Sequence, residues 1–144
     1  MPSPQAKPID DLFETFEMLS GDWEERYRVL IDLGRRLPEL PESQRTEANR
    51  VHGCQSQVWM TAGARASASG PLLELRADSD AFIVRGLIAV LFMLYDGLPL
   101  AEVRGVDADG AFRRLGLDQH LSPTRRNGLH AMIQRVRDLA VRAA

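Results

Sequence analysis

From Ala81 to Tyr95 the chain is apolar at nearly every position, with Arg85 the one charge in the run. A helix apolar around its whole circumference has no face to give to water, so other elements must cover it from every side. The run falls short of the roughly 20 residues a membrane span needs. It therefore predicts a buried core helix, and the rest of the fold must be built around it. Asp78-Ser79-Asp80 before it offers side-chain caps and negative charge at a helix N-terminus, and Asp96-Gly97 ends it.

The flanking segments supply what covers that helix. Ile9, Leu12, Phe13, Phe16 and Leu19 follow helical spacing, with Pro8 in the first turn and Ser20-Gly21 as the stop. Asp22 with Glu25 forms a capping box for a second helix carrying Trp23, Tyr27, Leu30 and Ile31, which Gly34 is expected to end. Leu37-Pro38-Glu39-Leu40-Pro41 cannot continue a helix and reads as a semi-rigid connector. From Gln57 to Ala64 the residues alternate, and Leu72–Arg76 repeats the extended signal after a small-residue turn, which predicts an antiparallel hairpin. Arg50-Val51-His52 is a candidate extra strand. Pro99–Arg104 and Ala111–Leu115 read as short helical turns.

Ser122-Pro123 starts a last helix with Leu129, Met132, Ile133, Val136, Leu139 and Ala140 on one stripe and Gly128 as its weak point. Its arginines (Arg125, Arg126, Arg135, Arg137 and Arg142) read as a solvated face. The expected fold class is α+β, helices packed against a small antiparallel sheet, as a single domain over 1–144 with 1–7 a disordered lead-in.

The chain has 144 residues, 44% of them apolar, and a formal net charge of −2. That balance argues against nucleic-acid binding by counterion release. Residues 1–8 lack the apolar region of a signal peptide, and a cytoplasmic location is expected. His120 and His130 lack a metal-binding pattern and read as capping or surface residues, so no metal is expected.

Cys54 is the only cysteine. One thiol excludes an internal disulfide, a CxxC redox pair and a cysteine-rich metal or cluster site. It sits in His52-Gly53-Cys54-Gln55-Ser56-Gln57, a polar and flexible setting that suits a reactive thiol better than a core one. Any lasting product on its sulfur must involve a second molecule. Trp59, just beyond, reads as the anchor of the hairpin in the core.

Five blocks in order carry a family resemblance: Asp22–Tyr27 with Leu33–Pro38, Gly53–Trp59, Asp78–Ala81, Gly86–Ala89 and His120–Arg125. Together they resemble the SufE/CsdE family of sulfur acceptors. The resemblance implies a fold similar to that of SufE and the IscU scaffolds, and a place in iron–sulfur cluster assembly. It implies that Cys54 receives a persulfide sulfur from a cysteine desulfurase of the SufS/CsdA type and raises that enzyme's turnover. The pyridoxal phosphate belongs to that partner; no cofactor of the chain's own is expected. With one cysteine the chain should relay sulfur to an iron–sulfur scaffold or other acceptor without building the cluster itself.

The thiolate is the attacking species in such an exchange, so something must ionise Cys54. His52, an arginine of this chain or the desulfurase could do so. Gly53 is a candidate hinge that lets Cys54 rest near Val58 and the apolar helix and swing outward. Gln55, Asp80 and Arg125 are partner or loop candidates, with a helix cap as the alternative for Asp80 and a surface charge for Arg125. Two other classes remain open: a stand-alone thiol peroxidase or hydrolase, and an allosteric activator that carries no sulfur.

Overall fold

The computed structural model describes residues 8–143, so the expected lead-in over 1–7 lies outside the described residues. Helix α1, Pro8–Met18, buries Ile9, Leu12, Phe13 and Phe16. Helix α2, Trp23–Arg35, starts at the expected Asp22 cap, with the Glu25 N–H donating to Asp22 Oδ1 at 3.1 Å. The return half of the capping box is not made: the Asp22 N–H donates to the Leu19 carbonyl at 2.9 Å and the Glu25 carboxylate pairs with Arg28. The end of α2 also differs from expectation. Gly34 lies inside the helix, which closes at Arg36 in ordinary helical geometry.

The reason is tertiary. Helix α3, Phe82–Tyr95, crosses α2 there, and a Cβ on Gly34 would stand 2.6 Å from the Gly86 nitrogen. A Cβ on Gly86 would stand 2.4 Å from the Leu30 carbonyl oxygen. Two absent side chains let the backbones touch. As expected, α3 is the core element, with Leu87, Ile88, Val90 and Leu91 fully buried, and it ends at Asp96 and Gly97.

The hairpin is present as β1, Val58–Arg65, and β2, Leu72–Ser79, antiparallel with Val58 opposite Ser79 and Arg65 opposite Leu72. One face carries Val58, Met60, Leu73, Leu75 and Ala77, all buried in the core cluster. The other face begins with Trp59 opposite Asp78, and these too are buried, so alternation of exposure fails at this end. Arg45, just past the 3-10 turn Glu42–Gln44, supplies the cover: its guanidinium lies 5.4 Å from the Trp59 ring centre. Arg50–His52 adds one antiparallel bridge, Arg50 to Trp59, instead of a strand.

Asp78 and Ser79 belong to β2 and do not cap α3, whose N-cap is Ala81 without a side-chain bond. Asp78 is fully buried and ion-paired to Arg45 at 2.7 Å and Arg85 at 2.5 Å, and it accepts the Leu40 N–H at 3.0 Å. Arg85 also donates to the Gly34 and Leu37 carbonyls. The one charge in the apolar run thus ties α2, the connector and the sheet together. The proline connector leads into two 3-10 turns, Glu42–Gln44 and Glu47–Asn49.

After α3 come a 3-10 segment Leu100–Gly105, helix α4 Ala108–Arg114, the short helix α5 Leu117–His120 and helix α6 Pro123–Ala143. The stripe of α6 is buried as expected at Leu129, Met132, Ile133, Val136 and Ala140. Its arginines are not all solvated: Arg135 and Arg137 are half-buried, and Arg135 donates to the Ala48 carbonyl at 3.0 Å. These elements make an α+β fold. Among the described residues no helix is long and apolar enough to cross a membrane.

Candidate functional site

Cys54 sits on the loop that carries the chain into β1. The loop is tied at its base by the Val51 N–H donating to the Val58 carbonyl at 2.8 Å. A second tie joins it to the start of α3. The Gln57 N–H donates to Asp80 Oδ1 at 3.0 Å, and the Asp80 N–H donates to the Gln57 carbonyl at 3.3 Å. Between the ties, Gly53 takes φ +94°, a conformation that side chains disfavour, and so turns Cys54 inward.

The thiol faces a cavity of about 90 Å³. Val84 and Leu87 of α3 and Gly128 and Met132 of α6 form its walls, and Gln55, Ser56, Ser122, Thr124 and Arg125 complete its lining. Larger clefts, such as one of about 440 Å³ beside Pro38 and Phe92, do not contain the thiol. Cys54 is half-buried, and Sγ lies 3.5 Å from the Gly128 carbonyl oxygen, as a weak S–H donor. Burial pushes the thiol pKa up. Desolvation and the facing carbonyl both favour the protonated form of the sulfur.

Of the expected surroundings, α3 lines the cavity through Val84 and Leu87, Val58 is not among the lining residues, and α6 adds Gly128 and Met132. Cys54, Gln55 and Arg125 are brought around one cavity, and Gly53 adjoins them in the loop. Asp80 clasps the loop base through Gln57 and is not the cap of α3. Arg125 donates its backbone N–H to Ser122 Oγ at 3.2 Å, while its side chain is exposed at the cavity. His52 is not brought to the thiol; its exposed ring pairs with Glu47, Nε2 to Oε1 at 3.2 Å.

Sequence reasoning missed Ser122, Thr124, Gly128 and Met132. The available signal was the glycine in the second turn of a long helix, read there as a weak point. It is a contact surface: a Cβ on Gly128 would stand 3.3 Å from Cys54 Sγ.

The histidines do not add to the site. His120 stacks on Trp23 at 3.6 Å, its carbonyl accepting the Tyr27 hydroxyl, and exposed His130 faces Asp109 at 3.5 Å. Among the described residues no cluster of three or more potential metal ligands forms.

The chain that seats this lone thiol against α3 and α6 matches the Fe–S metabolism associated domain, SufE, over residues 10–140. The chain belongs to the SufE family. It is 44% identical over 137 residues to an uncharacterized SufE-like protein of Rhizobium etli, with 94% of this chain and 92% of that one covered. A SufE-like protein of Rhizobium meliloti is 44% identical over 132 residues, with 92% and 94% covered. The solution structure of a hypothetical protein from Thermus thermophilus superposes with a TM-score of 0.74 at 25% identity, covering 96% of this chain and 98% of that one. Membership of the SufE family associates the protein with iron–sulfur metabolism.

Proposed function

We propose that this SufE-family protein is a cytoplasmic sulfur acceptor. Cys54 takes persulfide sulfur from a cysteine desulfurase, raises that enzyme's turnover, and passes the sulfur to an iron–sulfur scaffold or another acceptor. The observation that carries the reading is the seating of the lone thiol: on a two-point-tied loop, at a small cavity, with its sulfur facing the Gly128 carbonyl.

In the transfer, the Cys54 thiolate attacks the terminal sulfur of the donor persulfide. The Cys54 sulfur–sulfur bond forms as the donor's breaks, and the donor leaves as a thiolate that takes up a proton. The oxidation level is only moved from one cysteine to the other, so no external oxidant is required. The chain needs no cofactor for this step; pyridoxal phosphate serves the partner in freeing sulfur from cysteine.

A stand-alone thiol enzyme needs its nucleophile activated by a base in reach or by a lowered pKa. Here burial opposes ionisation and His52 pairs elsewhere. A docking partner that draws Cys54 out of the cavity removes the desolvation that suppresses the thiolate. The test is desulfurase turnover with and without the protein. Wild type should stimulate sulfide release and Cys54→Ser should not; equal stimulation by both would assign the protein an allosteric role instead.

A further inference from the structure

The cysteine loop lies flat on α6 at two successive positions of one helix face. Gly128 meets Cys54: a Cβ there would stand 3.3 Å from Sγ, 3.6 Å from Cα and 3.7 Å from Cβ of the cysteine. Three residues on, Ala131 meets Gly53, whose own Cβ, were it present, would stand 3.4 Å from the alanine methyl. Glycine in the interior of a helix is unfavourable relative to alanine, so local propensity does not account for Gly128. What accounts for it is the cysteine occupying the space of the missing side chain, with the S–H directed at the carbonyl of that same residue.

We propose that Gly128 is a positioning residue that seats Cys54 in its withdrawn state, its absent side chain making the space and its carbonyl taking the S–H. Residue 128 thereby sets how readily the loop releases the thiol. The inference rests on the sulfur-acceptor reading for its purpose, since a withdrawn thiol waits for a partner. The seat itself is a property of the free protein.

The hold is weak by construction. A neutral thiol is a poor donor, and its bond to a carbonyl is second-order beside an N–H bond. A partner can therefore extract the cysteine without breaking the fold. A methyl at 128 forces Sγ to give by a few tenths of an ångström, and the loop between its ties is the part free to move. Alanine also suits the helix better. Gly128→Ala should thus combine two effects that ordinary damage does not combine, an undiminished melting temperature and a more reactive thiol.

The experiment is alkylation of the free protein by iodoacetamide, with no desulfurase present, alongside thermal melts of wild type, Gly128→Ala and the neighbouring exposed control Asn127→Ala. Gly128→Ala is expected to alkylate roughly five- to tenfold faster, with its pH–rate profile moved to lower pH, at a melting temperature no lower than wild type. Asn127→Ala should leave the alkylation rate unchanged. An unchanged rate and pH profile in Gly128→Ala would overturn the seat. So would faster alkylation matched by a lowered melting temperature, which would mean that the thiol was exposed by loosening of the whole fold. Because only the free protein and a small reagent are used, either result leaves the sulfur-acceptor reading to stand or fall on its own test.

Discussion

Asp80 and Gln57 clasp each other through two hydrogen bonds, Gln57 N–H to Asp80 Oδ1 at 3.0 Å and Asp80 N–H to the Gln57 carbonyl at 3.3 Å. The clasp fixes the downstream end of the cysteine loop to the entry of α3. Asp80→Ala removes the side-chain half of it, a bond worth about 1 kcal/mol in a setting of this kind. The expected outcome is a small loss of stability with faster Cys54 alkylation, and Asp80→Asn, which keeps an acceptor, should restore the wild-type rate. If alanine and asparagine behave alike, the clasp does not restrain the loop.

The thiol itself should report its burial through pH. Because the folded protein holds its proton above the ordinary cysteine pKa, the alkylation rate of the native protein should rise at higher pH than that of the urea-unfolded chain. The linked stability contribution is present below the unfolded pKa and is lost as pH rises through the raised native one. Native and unfolded pH–rate profiles measured side by side check the sign. Coincident profiles would mean that the cavity does not desolvate the sulfur.

Asp78 is a buried carboxylate held by two guanidiniums, with 1% of its side chain exposed. Removing one member of such a cluster leaves uncompensated charge, so Asp78→Asn should destabilise the fold by about 3–5 kcal/mol. Urea unfolding measures it. A loss under about 1 kcal/mol would show that Arg45 and Arg85 find water or other acceptors instead.

The crossing of α2 and α3 gives a cleaner steric test. A methyl at Gly86 would stand 2.4 Å from a backbone oxygen, which has no rotamer by which to withdraw. Gly86→Ala should cost at least about 1–3 kcal/mol, while Gly63→Ala, with open space around it, should fall within about 0.5 kcal/mol of wild type. Equal stabilities would contradict the close approach.

The pattern of what is legible in the sequence follows from these contacts. The buried helix, the hairpin and the Asp22 cap are legible because their signals are local and periodic. Gly34 reads as a stop, wrongly, because its partner Gly86 is distant in sequence. Asp78 reads as a cap, wrongly, because its guanidinium partners lie at the end of the 3-10 turn Glu42–Gln44 and on α3. The setting of the cysteine reads locally as that of a reactive thiol, but nothing local marks its cavity. The α6 wall comes from far downstream, with the Cys54–Gly128 contact spanning 74 residues. Nothing in a helical stripe announces that one of its glycines receives a thiol.

The central claim is that Cys54 accepts sulfur. Intact-protein mass spectrometry after incubation with a cysteine desulfurase and cysteine, comparing wild type with Cys54→Ser, tests it most directly. A gain of one or more sulfur atoms, reversed by a thiol reductant and confined to wild type, is the predicted result. No gain in wild type, in a reaction where the desulfurase itself is shown to carry persulfide, would contradict it.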